Sequence, residues 1–202
     1  MPLSYVVCPI LVLTSPMDPL TRAQLPFEYF YLTNYSNIPH VVMFWAWSLS
    51  AEEHFYLAVP ILMALLGLLP SARARIGALV ALWLSGAVVR GAIVFGGPAP
   101  LDPFQYFRRV YIPTHTRYDI LVAGVLLAYV LKSHGDVLRT WMRRPGLRAL
   151  SALGSLALFG ALMTPEPFSP PGVWSVLATG TITGIAYVNL IVYLLFTDGW
   201  LA

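Results

Sequence analysis

IGALVALWLSGAVVRGAIVFG, residues 76 to 96, decides the fold: in 21 residues it carries one charge, Arg90, and no polar face recurs at helical spacing. Wound as an α-helix it is about 32 Å long, close to the roughly 30 Å of a bilayer's hydrocarbon core. A helix apolar all round is solvated by lipid or by other apolar helices. Working outward, similar runs lie at 3 to 16, 50 to 69, 119 to 132, 147 to 164 and 173 to 196, separated by Pro, Gly and charge clusters. The expectation is an all-α, polytopic transmembrane helical bundle with about six membrane segments, although the first, at about 14 residues, is short for a full span. The composition agrees, with 58% hydrophobic and 10% charged residues over 202 positions and a mean hydropathy of +0.72, far from the soluble average. An outer-membrane barrel is excluded, because its strands alternate in period two over only about 10 residues. No repeat, low-complexity tract or linker divides the chain, so residues 1 to 202 are read as a single membrane domain.

The formal net charge of +3 does not point to nucleic acid, because the basic residues sit in short loops between apolar segments, where they set topology. Arg73 and Arg75 follow the second segment, and Lys132, Arg139, Arg143, Arg144 and Arg148 follow the fourth. The positive-inside rule places both loops in the cytoplasm. The alternate loops, with Arg22 and then Arg108, Arg109 and Arg117, face outward, and Arg108 and Arg109 dilute the bias. The single cysteine, Cys8, permits no internal disulfide and no cysteine-built metal site. The first residues lack the basic n-region and small-residue cleavage site of a signal peptide. No P-loop, G-x-G-x-x-G or H-E-x-x-H spacing supports nucleotide or zinc chemistry. The stretch from Met17 to Leu49 is rich in Tyr, Phe and Trp, as expected of chain lying at headgroup level or folding back into the bundle mouth.

WSLSAEEHFY, Trp47 to Tyr56, sets two carboxylates and a histidine at the entrance of the second segment. Two accounts compete. Ser50 and Glu53 have the S-x-x-E spacing of a capping box, and Glu52 would then sit near the helix N-terminus, where a negative charge gains about 0.3–1 kcal/mol from the dipole. If instead the helix begins a turn earlier, Ser48, Glu52 and Tyr56 share one face with Glu53 turned about 100° away, and Glu52 becomes the better catalytic candidate. His54 is either hydrogen-bonded at the interface or part of a site. Pro60, four residues after Tyr56, removes one helical hydrogen bond and can kink the helix. Gly180 and Gly184 form a G-x-x-x-G spacing that would admit a close neighbour.

YFYLTNY at 29 to 35, WSLSAEEHFYLAVPIL at 47 to 62 and TRYDILVAGVLLA at 116 to 128 occur in the order seen in acyltransferase family 3. The chain resembles that family of bacterial inner-membrane O-acyltransferases. The resemblance implies transfer of an acyl group, often acetyl, from acyl-CoA as co-substrate to a hydroxyl of a carbohydrate or similar envelope acceptor at the outer face, with no bound cofactor or metal. It implies catalytic roles for Glu52 and Glu53 and substrate contacts for Trp47, Ser50, His54, Tyr56, Arg117 and Asp119; Arg90, outside the matched motifs, is a substrate-contact candidate on its charge alone. The chain departs from the family's pattern at His54, where glutamine is usual. The family's domain has about ten helices, including early ones with a histidine thought to be catalytic; this chain is expected to be a fragment lacking N-terminal and C-terminal helices.

Arg90 carries a charge that costs about 2.5–3.5 kcal/mol at a helix centre in lipid. Either it snorkels, being about 9 Å from the segment's end, or it faces inward, to hold an anionic acyl donor or to pair with Glu52. Arg117 and Asp119 open the fourth segment, and Thr116 with Asp119 has a cap-like T-x-x-D spacing; the resemblance keeps a substrate-side role open for both. His115 is a loop histidine. The basic loop with Arg139, Arg143, Arg144 and Arg148 either controls topology or meets CoA phosphates. The contrasting class is a non-enzymatic membrane scaffold or transporter piece, whose acids cap helices and whose Arg90 lines a pathway.

Overall fold

A computed structural model describes residues 19–36, 46–97, 101–163 and 172–196, together with Ile10 and Thr14. The expected segment at 3 to 16 and Cys8 therefore lie outside the described residues, apart from those two positions. Among the described residues the chain is helical, with no strand. The helices are α1 (Pro19–Tyr29), α2 (Ala46–Gly67), α3 (Ala72–Phe95), α4 (Pro103–Tyr106), α5 (Tyr118–Met142), α6 (Pro145–Leu162), α7 (Val173–Leu177) and α8 (Thr183–Phe196). Two wide, π-type turns join α4 to the loop before α5 (Phe107–Tyr111) and α7 to α8 (Ala178–Ile182). Two 3-10 turns, Thr33–Tyr35 and Thr114–Thr116, complete the order.

Among the described residues, five helical stretches are long and apolar enough to cross a membrane: α2, α3, α5, α6 and the continuous Val173–Phe196. The protein is thus an all-α helical bundle with the length and composition of a multi-pass membrane protein. α3 packs on α5, α6 on α8, and α5 on α8, while α2 lies at the edge. One apolar cluster forms around Leu66, Leu79 and Val122, with Phe55, Leu62, Trp83 and Tyr118 against it. A second, of Val94, Leu101, Tyr106, Val110 and Val176, closes one end of the bundle. Between α6 and α8, Asn189 donates to the Ser151 carbonyl at 2.8 Å and to Ser155 Oγ at 2.9 Å, and accepts from Ser151 Oγ at 2.8 Å. Such bonds hold helices together in lipid, where apolar contact alone has little driving force.

The helix ends differ from the hydropathy reading for identifiable reasons. α2 is already helical at Ala46, and buried Ser50 donates to the Ala46 carbonyl at 3.0 Å. Ser50 is therefore a full turn inside the helix and its hydroxyl is spent on the preceding turn; the Ser50–Glu53 capping box is corrected. A simple serine cap, without the reciprocal acid of a box, does occur at Ser71, which accepts from Ala74 N at 3.1 Å to start α3. α5 continues to Met142, past the charges at which hydropathy stops, with a non-helical residue at His134 (φ −139°). Thr116 does not cap α5 through Asp119 either, since its hydroxyl donates to the Pro113 carbonyl at 2.7 Å.

Candidate functional site

The start of α2, the end of α3, the chain from Leu101 to Asp119 and the α7–α8 turn meet at one end of the bundle. Its centre is Arg90. The guanidinium has five N–H groups, and all five are used. Nε donates to the Val176 carbonyl at 2.7 Å, one Nη to the Thr116 carbonyl at 2.6 Å and to Asp119 Oδ1 at 3.0 Å, and the other Nη to Asp119 Oδ2 at 2.8 Å and to Thr181 Oγ1 at 3.0 Å. Thr181 in turn donates to Asp119 Oδ2 at 3.2 Å. Both charged side chains are 0% exposed. This corrects two sequence expectations: Arg90 neither snorkels nor pairs with Glu52, and Asp119 is its partner. A pair this deep persists only because its geometry is bidentate and every remaining donor is satisfied.

Glycine makes the arrangement possible. A Cβ on Gly180 would fall on an Arg90 Nη and on both Asp119 carboxylate oxygens, and one on Gly86 would lie 2.6 Å from Asp119 Cβ. Gly184, one turn on, would place a Cβ 3.2 Å from that of Ala123. The G-x-x-x-G spacing thus marks close approach of α8 and its preceding turn to α3 and α5. The wide turn at Ala178–Ile182 carries Gly180 and Thr181 to the ion pair, in keeping with the concentration of π-type turns at sites that demand unusual placement.

Around this lock the two motifs meet. Trp47 on α2 and Tyr111 pack at 5.5 Å between ring centroids, and the Arg117 guanidinium lies over both rings, at 5.1 and 4.3 Å. One turn or two further along α2, His54 Nδ1 is 3.0 Å from Thr114 Oγ1. The same hydroxyl accepts from Asn34 Nδ2. Tyr35 lies 6.1 Å from the His54 ring and stacks on His115 at 5.8 Å, with its hydroxyl 3.2 Å from His115 Nδ1. Asn34 and Tyr35 therefore fold back over the bundle mouth, one of the two placements expected of this aromatic stretch. Tyr31 turns the chain there with φ 56°.

A cleft of about 380 Å³ opens beside this cluster, lined among others by Asn34, Tyr35, Arg108, Arg109 and His115. Burial holds the His115 imidazole below its ordinary value of 6.5, so at neutral pH it is uncharged. Behind the cleft wall, Tyr106 donates to the Ser175 carbonyl at 2.9 Å and meets Thr179 Oγ1. Its burial raises the phenol above 10, against the pull of those two bonds and of Arg90 and Arg117. Asn34 Oδ1 is buried without a hydrogen-bond partner among the described residues.

Of the sequence-predicted residues, the structure joins Trp47 to Arg117, His54 to the turn before TRYD, and Arg90 to Asp119. It does not join Glu52 to any of them: Glu52 is exposed and Glu53 half-buried, and neither side chain has a hydrogen bond or ion pair to another described residue. Ser48, Glu52 and Tyr56 do share one exposed face of α2. Among the described residues no three His, Cys, Asp or Glu side chains group as metal ligands. Sequence reasoning missed Asn34, Thr114 and Thr181, ordinary polar residues whose partners are distant in the chain. Arg108 and Arg109 were visible as arginines on the side that the loop charges disfavour. Comparison with protein-family models, with curated proteins and with solved structures finds no match to this chain.

Proposed function

We propose that the chain acts as a bacterial inner-membrane O-acyltransferase, moving an acyl group, acetyl first of all, from acyl-CoA to a hydroxyl of an envelope carbohydrate. The observation that carries this reading is the meeting of WSLSAEEHFY and the THTRYD segment, through His54–Thr114 and Trp47–Arg117, beside an open cleft with hydrogen-bonding walls. In the reaction the acceptor oxygen bonds to the acyl carbon and the C–S bond breaks. The sulfur leaves with the proton that a base takes from the hydroxyl. Glu52, whose carboxylate no described residue engages, is the base or the group that orients the hydroxyl. Trp47, His54 and Arg117 hold the acceptor side, Tyr56 shares Glu52's face, and Ser50 and the Arg90–Asp119 pair fix the helices that carry them. The transporter reading loses its principal residue, since Arg90 is sealed from any pathway and has no donor left.

The test is acetyl incorporation into envelope polysaccharide, with radiolabelled acetyl-CoA and membranes containing the chain or Glu52→Gln. The expected result is incorporation by the wild type and a loss of about 100-fold or more in the variant. Incorporation no higher than in membranes lacking the chain would sink the reading, and an unchanged Glu52→Gln would remove Glu52 from the mechanism.

A further inference from the structure

The cleft beside the His54–Thr114 contact has a chemical signature narrower than "hydroxyl acceptor". Two consecutive arginines, Arg108 and Arg109, line it, and among the described residues no Asp or Glu does. Both are exposed. Arg108 lies 5.7 Å from the Phe104 ring centroid, which orients it without neutralising it, and neither arginine has an ion pair with a described residue. His115 contributes no charge at neutral pH. The remaining wall adds a different demand. Asn34 is 3% exposed, its Nδ2 is committed to Thr114, and its Oδ1 accepts nothing among the described residues. A buried acceptor left so costs about 1–3 kcal/mol, which a ligand hydroxyl would recover once a small shift of the wall uncovers it. Ser36, also on the wall, cannot donate there, because its hydroxyl is given to the Thr33 carbonyl at 2.7 Å. The stacked Tyr35 and His115 rings offer a flat face beside these groups.

We infer that this cleft binds an anionic carbohydrate, one that presents a carboxylate or phosphate to Arg108 and Arg109 and a hydroxyl to Asn34. The inference rests on the proposed acyl-transfer reading only in making that sugar the acceptor. Guanidinium groups match carboxylate and phosphate oxygens two at a time, and a concave site of one sign concentrates ligands of the other. A neutral sugar would satisfy Asn34 and the ring face but would leave two adjacent like charges uncompensated.

The test is calorimetric titration of the purified chain in phosphatidylcholine nanodiscs, with trigalacturonate, its fully methyl-esterified form, glucose 1-phosphate and inorganic phosphate. At least one anionic sugar is expected to bind tenfold or more tightly than the methyl ester, and Arg109→Gln, at an exposed position, is expected to cost tenfold or more while leaving thermal unfolding unchanged. Which anionic sugar binds separates carboxylate from phosphate. Equal binding of the methyl ester, indifference to Arg109→Gln, or inorganic phosphate binding as tightly as either sugar would overturn the inference. So would loss of sugar binding in phosphatidylglycerol discs, because the arginines would then belong to lipid. Binding is read without acyl transfer: anionic-sugar binding without acetylation keeps the site and discards the reaction, whereas acetylation of a neutral acceptor does the reverse.

Discussion

Asp119→Asn is the sharpest perturbation of this fold. The side chain keeps its shape, but one carboxylate oxygen becomes an amide NH2. Whichever way the amide turns, a donor then confronts a donor of Arg90, where the oxygens now accept at 3.0 and 2.8 Å. The guanidinium stays buried at 0% exposure with no counter-charge, and Thr181 risks losing the acceptor it holds at 3.2 Å. Removing one partner of a buried pair costs about 3–5 kcal/mol. Arg90→Met is expected to cost at least as much, because it strands Asp119 and the carbonyls of Thr116 and Val176. The double variant, Arg90→Met with Asp119→Ala, removes both charges together. It still orphans those carbonyls, at about 1–3 kcal/mol each, yet it escapes the penalty of an unpaired buried ion. The Asp119→Ala and Arg90→Met singles should therefore sum to more than the double by about 2 kcal/mol, near the upper range for contacting residues. Reversible unfolding in mixed dodecylsulfate and maltoside micelles, followed by tryptophan fluorescence and circular dichroism, measures all four corners of the cycle. Asp119→Asn within about 1 kcal/mol of wild type, or additive single variants, would refute the account of the pair as the structural lock.

The glycines give a graded series in the same assay. Gly180→Ala, whose methyl lands on the ion pair, should lose at least the 1–3 kcal/mol typical of overpacking. Gly184→Ala, 3.2 Å from Ala123 Cβ, should lose less, and Gly124→Ala, with nothing within 4 Å, should be neutral or gain up to about 1 kcal/mol. Equal behaviour of positions 180 and 124 would contradict the close approach. His115 predicts a pH dependence. Its folded value lies below 6.5, so the unfolded chain binds the proton first as pH falls; its contribution to stability is complete above pH 6.5 and is lost between that value and the folded one. Unfolding midpoints compared at about pH 7.5 and about pH 5 should show that loss, and His115→Gln should lessen it; an unaltered slope would rule the imidazole out as its source.

The spans were legible because crossing a bilayer imposes a length and a composition that a run such as residues 76 to 96 either meets or does not. Their ends were less so. S-x-x-E reads the same at a helix start and one turn inside it, and Ser50 turned out to spend its hydroxyl on Ala46. Charge ended the reading of the fourth segment at residue 132, and the helical backbone breaks two residues on, at His134 (φ −139°), before a further helical stretch runs to Met142. For the site, Arg90, Asp119, His54 and Arg117 each carried a local signal: a charge in lipid or a place in a motif. Their pairing carried none, because which carboxylate meets Arg90 depends on how α3, α5 and the α7–α8 turn pack. The G-x-x-x-G spacing at 180 and 184 announced a close neighbour without saying that the neighbour is an ion pair. The two π-type turns, which bring Arg109 to the cleft and Thr181 to Arg90, have no pattern in hydropathy at all.

Glu52 and Asp119 show how the structure separates an unengaged carboxylate from a committed one. Asp119 has the better hydrogen-bond geometry and lies in a family-like motif, but its oxygens are held by Arg90 and Thr181 and sealed from solvent. Displacing it would break the lock, so its role is to hold α3, α5 and the α7–α8 turn together. Glu52 has no engaged side-chain partner among the described residues and is exposed, so no contact of the fold is spent on its carboxylate. The same division runs through the basic residues. Arg90 is fully committed and Arg117 is laid over two rings, whereas Arg108 and Arg109 retain donors and charge for something outside the chain. Activity should therefore be sought in the groups the fold leaves unspent: Glu52, Asn34 Oδ1, Arg108 and Arg109. Mutating the conspicuous buried pair would report on stability and would not test the proposed acyl transfer.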